Sequence, residues 1–169
     1  MIPGQDRDTQ HMTTERSLRP HPFSLLAGIG MCALAATQAH TQEARCAGEV
    51  ITQGRVSSII DGRSLTLQDG RMVRLAGVED TVSGVSVKTA QQAALEALVG
   101  DRDVVLRGNP KTDRYGRLVG FVFISGQDQP VQAKLVEAGH LAVTAPVDDS
   151  ACAVVLRARE FQARQAKRG

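Results

Sequence analysis

Residues 61–76 read Asp61-Gly62-Arg63-Ser64-Leu65-Thr66-Leu67-Gln68-Asp69-Gly70-Arg71-Met72-Val73-Arg74-Leu75-Ala76, and this stretch decides the architecture. It holds two Asp-Gly pairs with short apolar runs after each. Such pairs favour tight turns, because both residue types tolerate the backbone angles a hairpin needs. Upstream, residues 49–60 alternate, with Val50, Val56 and Ile60 apolar among Thr, Gln and Ser. The pattern predicts three consecutive strands over residues 49–60, 64–67 and 72–76, joined as a meander.

The remainder extends the same logic. Residues 82–87 are small and irregular and read as a loop. Ser86 or Thr89 is expected to cap a helix with Ala90, Ala93, Ala94, Ala97 and Leu98 on one face, ending at Gly100. Residues 103–107 form a fourth strand broken by Gly108-Asn109-Pro110, and residues 118–124 a fifth. A short helix over 131–138 is stopped by Gly139, where His140 is placed to cap carbonyls. Residues 141–144 are briefly extended. A final helix over 150–167 presents Cys152, Val155, Leu156, Arg159 and Ala163 on one face. Five strands with a helix between the third and fourth is the order of the OB-fold, a five-stranded β-barrel with helices in the α+β class.

At 169 residues the chain fits a single core of useful size. A formal charge of +2 is too small to imply nucleic-acid binding by itself. The basic residues are mostly arginine, which grips phosphate through two parallel hydrogen bonds where lysine offers a point charge. One tyrosine and no tryptophan argue against an extended base-stacking platform.

Residues 1–39 read as a secretory signal, with Met12 as an alternative start. Arg16 and Arg19 precede an uncharged stretch from Phe23 to Ala36, too short to span a bilayer. Ala33-Leu34-Ala35 and Thr37-Gln38-Ala39 offer cleavage sites. A retained anchor is the alternative, and Gly28, Gly30 and the short length argue against it. The reading is a secreted or periplasmic protein, monomeric and not stably inserted in a membrane after cleavage. A polar linker, residues 40–48, leads into the domain, residues 49–169. Removing the leader leaves Cys46 and Cys152, an even pair in an oxidising compartment. They are expected to form a disulfide, and two unpaired structural thiols are the alternative.

A second block, Asp113-Arg114-Tyr115-Gly116-Arg117-Leu118-Val119-Gly120-Phe121-Val122-Phe123, places a cation-bearing turn directly before an apolar strand. With residues 61–80, which end Ala76-Gly77-Val78-Glu79-Asp80, it resembles the thermonuclease (staphylococcal nuclease-like) family, over roughly Val50 to Lys167. That family cleaves phosphodiesters on an OB-fold with two arginines, one carboxylate base and a calcium ion. The resemblance implies that Arg74 and Arg117 supply charge to the phosphate. It implies substrate contacts for Tyr115 and Arg114; a turn tyrosine packing on the barrel is the alternative for Tyr115. A second pocket aromatic is missing, with Ala145 and Pro146 in that stretch.

The carboxylates depart from the family pattern. The family's D-G-D-T turn places a calcium ligand third, and here the turn is Asp61-Gly62-Arg63-Ser64. Arg63 removes an oxygen ligand and repels the ion, since calcium takes several hard oxygens. Asp61 and Glu79 are the remaining candidate metal ligands. Glu79-Asp80-Thr81-Val82 sets Val82 where the family has its base, leaving Asp80 as the nearest catalytic substitute. Three readings follow: a secreted nuclease, weak or with altered metal use; a catalytically inert module binding nucleic acid, nucleotide or another anion; and a structural or interaction domain of the cell envelope.

Overall fold

The computed structural model describes residues 45–81, 84–144 and 146–169. The expected leader, residues 1–39, lies outside them, as does most of the expected linker. So do Val82 and Ala145.

The element order is β1 (Val50–Asp61), β2 (Ser64–Leu67), β3 (Met72–Leu75), β4 (Val78–Asp80), α1 (Val85–Val99), β5 (Asp103–Arg107), β6 (Leu118–Ile124), α2 (Val131–Glu137), β7 (Leu141–Val143) and α3 (Ser150–Gln165). Five strands close a barrel in the order β1-β2-β3-β6-β5. The closing contact is the parallel pair β3–β6, which sets Arg74 beside Val119, while β1–β5 and β5–β6 run antiparallel. This is the OB-fold expected from the turn-punctuated meander.

Alternation fills the barrel. Leu65, Leu67, Val73 and Leu75 turn inward and are almost wholly buried, with Val104, Leu106 and Val122 facing them from β5 and β6. Period-2 side-chain geometry then leaves Arg74, between Val73 and Leu75, on the outside. The polar Gln132, also fully buried, seats α2 on the barrel. Its Oε1 accepts from the Val122 N–H at 3.1 Å, and its Nε2 donates to the Gly120 carbonyl at 3.0 Å. Buried polar atoms are tolerated where they find such partners.

Three expectations are corrected. The helix α1 starts at Val85 with Gly84 as its N-cap and no side-chain cap. Ser86 and Thr89 lie inside it, and the Thr89 hydroxyl donates to the Val85 carbonyl one turn back, so it is already satisfied within the helix. The face that α1 buries is Gln91, Leu95 and Val99, with Ala94 and Leu98 partly covered; Ala90, Ala93 and Ala97 are exposed. Larger side chains remove more apolar area from water, so the leucine and valine stripe wins over the alanine one. Finally, β4 was read as part of no strand, yet it pairs antiparallel with β7, Glu79 opposite Ala142 and Asp80 opposite Leu141.

The end of α2 shows why Gly139 stops it. Gly139 has φ +81°, its N–H reaches the Val136 carbonyl, and the His140 N–H reaches the Leu135 carbonyl. This is a Schellman closure, so His140 caps through its backbone. Its carbonyl in turn accepts from Gln91 Nε2 at 2.7 Å.

That glutamine also fixes the turn between β1 and β2. A Cβ built on Gly62 would lie 2.5 Å from Gln91 Cβ, so α1 packs against a position that only glycine can occupy. Gly62→Ala is expected to destabilise the fold by about 1–3 kcal/mol, the usual cost of overpacking. Urea titration of the two proteins measures it; a loss below about 0.5 kcal/mol, the scatter of ordinary surface changes, would contradict the tight contact.

Candidate functional site: an arginine cluster at the barrel rim

Three arginines from three elements meet at one end of the barrel. Arg63 sits in the β1–β2 turn, Arg74 on β3, and Arg117 in the turn that enters β6. The common point is Ser64, whose side chain is fully buried. Its Oγ accepts from Arg117 Nη1 at 3.1 Å and from Arg74 Nη1 at 3.4 Å. The structure therefore brings together the two arginines that the sequence singled out.

Arg117 is fixed in place. Its Nε and Nη2 both donate to Asp113 Oδ2 at 2.7 Å, and its backbone N–H reaches Asp113 Oδ1 at 3.1 Å. Asp113 Oδ1 also accepts from the Tyr115 N–H at 2.9 Å. One carboxylate thus organises the whole turn as an Asx motif. Burial pushes the Asp113 carboxyl up, but the side-chain and backbone hydrogen bonds from Arg117 and Tyr115 outweigh it and hold the carboxyl below its ordinary value. A depressed carboxylate contributes stability above its unfolded pKa, and that contribution disappears as pH falls through the folded value. The stability gap between wild type and Asp113→Asn should therefore narrow as pH drops from about 5 towards 3. Denaturation at several pH values measures it, and a gap that stayed constant would contradict this role.

Tyr115 is 60% exposed. Its ring lies 4.8 Å from the Arg114 guanidinium and 5.2 Å from that of Arg117, within cation–π range of both. The ring therefore stacks beside the cluster, and Arg114 joins the cluster's edge through it.

Arg74 is the least neutralised of the three. Among the described residues its closest carboxylate oxygen, Asp61 Oδ2, is 3.9 Å away, beyond hydrogen-bond distance. Burial lowers its pKa first, the positive charges of Arg63 and Arg117 lower it further, and Asp61 and Asp80 only partly oppose them. An anion placed here would find unused guanidinium donors and relieve a local excess of positive potential.

The candidate metal ligands are not gathered. Asp61 accepts the Arg63 backbone N–H at 2.8 Å. Asp80 Oδ2 is paired with Arg63 Nη2 at 2.8 Å, and Arg63 Nη1 also reaches the Val78 carbonyl at 3.4 Å. Alternation along β4 sets Glu79 on the opposite side from Asp80, and it is exposed. No group of three or more His, Cys, Asp or Glu with metal-binding geometry occurs among the described residues. Calcium requires six to eight oxygens, commonly several from carboxylates. The site offers two aspartates, one hydrogen-bonded by the Arg63 backbone N–H with the Arg74 guanidinium 3.9 Å away, the other paired with the Arg63 guanidinium. The donor set does not fit calcium.

Sequence reasoning singled out Arg63, which the structure pairs with Asp80. It missed Ser64 as the shared acceptor and Asp113 as the anchor of Arg117. The Asp113–Arg117 spacing of four residues across a Gly-containing turn was the available signal for the anchor.

The chain also closes on itself away from this rim. Cys46, just before β1, and Cys152, in the first turn of α3, form a disulfide with Cα atoms 4.3 Å apart. Of the two readings of these cysteines, the bonded one holds. No helix among the described residues is long and apolar enough to cross a membrane.

The family model described as staphylococcal nuclease homologue matches residues 73–169. The matched region runs from β3 to the end of the chain, so it contains Arg74, Asp80, Asp113 and Arg117 and excludes the turn that carries Asp61 and Arg63. No curated protein matches the chain.

Proposed function

The chain belongs to the staphylococcal nuclease homologue family, and from that membership we propose that it is an OB-fold module that binds the phosphate groups of nucleic acid or nucleotides without calcium-assisted hydrolysis. Proteins of this family cleave or bind nucleic acid. The observation that carries the binding reading over the cleaving one is Arg74, half-buried among two other guanidinia with no carboxylate of the described residues within hydrogen-bond reach. Such a group favours an incoming anion. Arg117, clamped by Asp113 and Ser64, supplies a second donor edge already oriented, so little side-chain entropy is lost on binding. Tyr115 and Arg114 lie at the edge where the rest of a nucleotide would pass.

Hydrolysis needs an activated water as well as positive charge. Asp80 is the nearest candidate base, and its Oδ2 is already taken up by Arg63 Nη2 at 2.8 Å, so that oxygen is not free to orient a water. The residues that remain therefore support anion capture more than bond cleavage. The disulfide, with the predicted leader, supports placement in a secreted or periplasmic compartment, since such bonds persist where the surroundings are oxidising.

Titrating a labelled single-stranded oligonucleotide with the purified protein, in chelator, tests the reading. Saturable binding whose logarithm falls linearly with that of salt is expected; absence of binding at low salt would overturn it.

A further inference from the structure

Positive charge in this chain is concentrated at its end. Residues 150–169 hold Arg157, Arg159, Arg164, Lys167 and Arg168 against one carboxylate, Glu160, while the whole chain carries only +2. Everything before residue 150 is on balance acidic. Some of these cations are already engaged. Arg159 lies 3.7 Å from Glu137, Arg164 lies 3.2 Å from Glu160, and Arg168 donates to the Glu137 carbonyl at 3.1 Å. Arg164 nevertheless keeps 74% of its side chain exposed, and Arg157 is exposed without an ion pair among the described residues.

Val154, Arg157, Phe161 and Arg164 recur every three or four residues, so they share the outer face of α3; Arg168 follows just past the end of the helix, which lies at Gln165. Phe161 is 63% exposed and Val154 57%. The face is not isolated from the arginine cluster. A groove of about 160 Å³, lined by Thr81, Leu141, Ala142, Glu160, Arg164 and Arg168, begins one residue beyond Asp80, the partner of Arg63.

Resting on the phosphate-binding reading above, we propose that the outer face of α3 is a second contact surface for the same single-stranded nucleic acid. Arg157 and Arg164 meet backbone phosphates, and Phe161 stacks on a base. Basic residues interleaved with an exposed aromatic make up the usual single-strand path, and OB-fold footprints run from about 4 to 16 nucleotides. A membrane-surface helix would instead bury a continuous apolar face. Here only two exposed apolar side chains, seven residues apart, stand among arginines.

The test compares the full chain with an Arg157→Ala, Phe161→Ala, Arg164→Ala variant, both binding labelled thymidine oligomers of about 4 and 16 nucleotides. All three side chains are exposed, and matching thermal denaturation checks that the variant folds. The variant should bind the long oligomer at least about tenfold more weakly. Its salt slope should fall by about 1.4, roughly 0.7 for each arginine, while the short oligomer is affected less than twofold. Equal long-oligomer affinity in both proteins would overturn the proposal, as would equal losses for both lengths. Loss of binding to phosphatidylglycerol vesicles with unchanged long-oligomer binding would overturn it in favour of a membrane role. A wild type that binds neither oligomer overturns the phosphate-binding reading together with this one. A wild type that binds both lengths equally overturns this one alone.

Discussion

Replacing Cys46 and Cys152 by alanine is expected to cost about 4–5 kcal/mol of folding stability and to lower the melting temperature by on the order of 15 °C. The two cysteines are 106 residues apart in sequence, so the bond spans almost the whole described domain. Cross-linking a loop of that size removes much of the chain entropy of the unfolded state, which is where the effect originates. The bond also has a local role. It joins the segment before β1 to the first turn of α3, where Asp149 Oδ1 accepts the Cys152 N–H at 2.8 Å. Both cysteines are buried, at 3% and 1% exposure, so mild reductant should act slowly on the folded protein. Urea unfolding of the oxidised protein and the double variant measures the difference. A gap below about 1 kcal/mol would show that the unfolded state does not gain the freedom that loop closure predicts.

Arg117→Ala should weaken phosphate binding by on the order of 10- to 100-fold, since a hydrogen bond to a charged group is worth about 1.5–3 kcal/mol. Two losses combine. The donor edge that Asp113 and Ser64 hold ready disappears, and the Asp113 carboxylate, no longer paired on its side-chain face, then repels the anion. The salt dependence should flatten, by about 0.7 in slope for a single-stranded ligand. Arg117→Lys should recover little of this. Lysine keeps the charge but cannot reproduce the fork that reaches Asp113 and Ser64 at once. Isothermal titration with a nucleoside diphosphate, or anisotropy with an oligonucleotide, reads both quantities. Unchanged affinity in the alanine variant would remove Arg117 from the binding machinery.

The barrel was legible because its signals are local. Asp61-Gly62 and Asp69-Gly70 mark turns by composition, and the run from Leu118 to Ile124 has the length and apolarity of a buried strand. The cap of α1 was not legible. Ser86 and Thr89 are the residue types that caps prefer, yet the helix continues back through them to Val85, because Thr89 finds its partner inside the helix. The short strand β4 was missed because Val78-Glu79-Asp80 is too brief and too acidic to read as a strand alone. Its partner β7 lies some sixty residues later, and only that pairing makes it a strand. The consequence reaches the site. Without β4, nothing in the sequence says whether Glu79 or Asp80 faces Arg63, and alternation along the strand selects Asp80. The arginines, by contrast, were readable from the two turn-and-strand blocks that hold them.

The most direct test is incubation of the purified protein with single-stranded DNA and with RNA, with calcium or with chelator, following both retention and cleavage. The arginine cluster needs no metal to pair with phosphate, and Arg63 is already paired with Asp80, a carboxylate that a cation would have to recruit. The predicted result is equal retention of both strands in either condition, with no cleavage that calcium stimulates. Robust calcium-stimulated cleavage would contradict it, because it would mean that Asp61 and Asp80 leave their arginine partners to hold the ion.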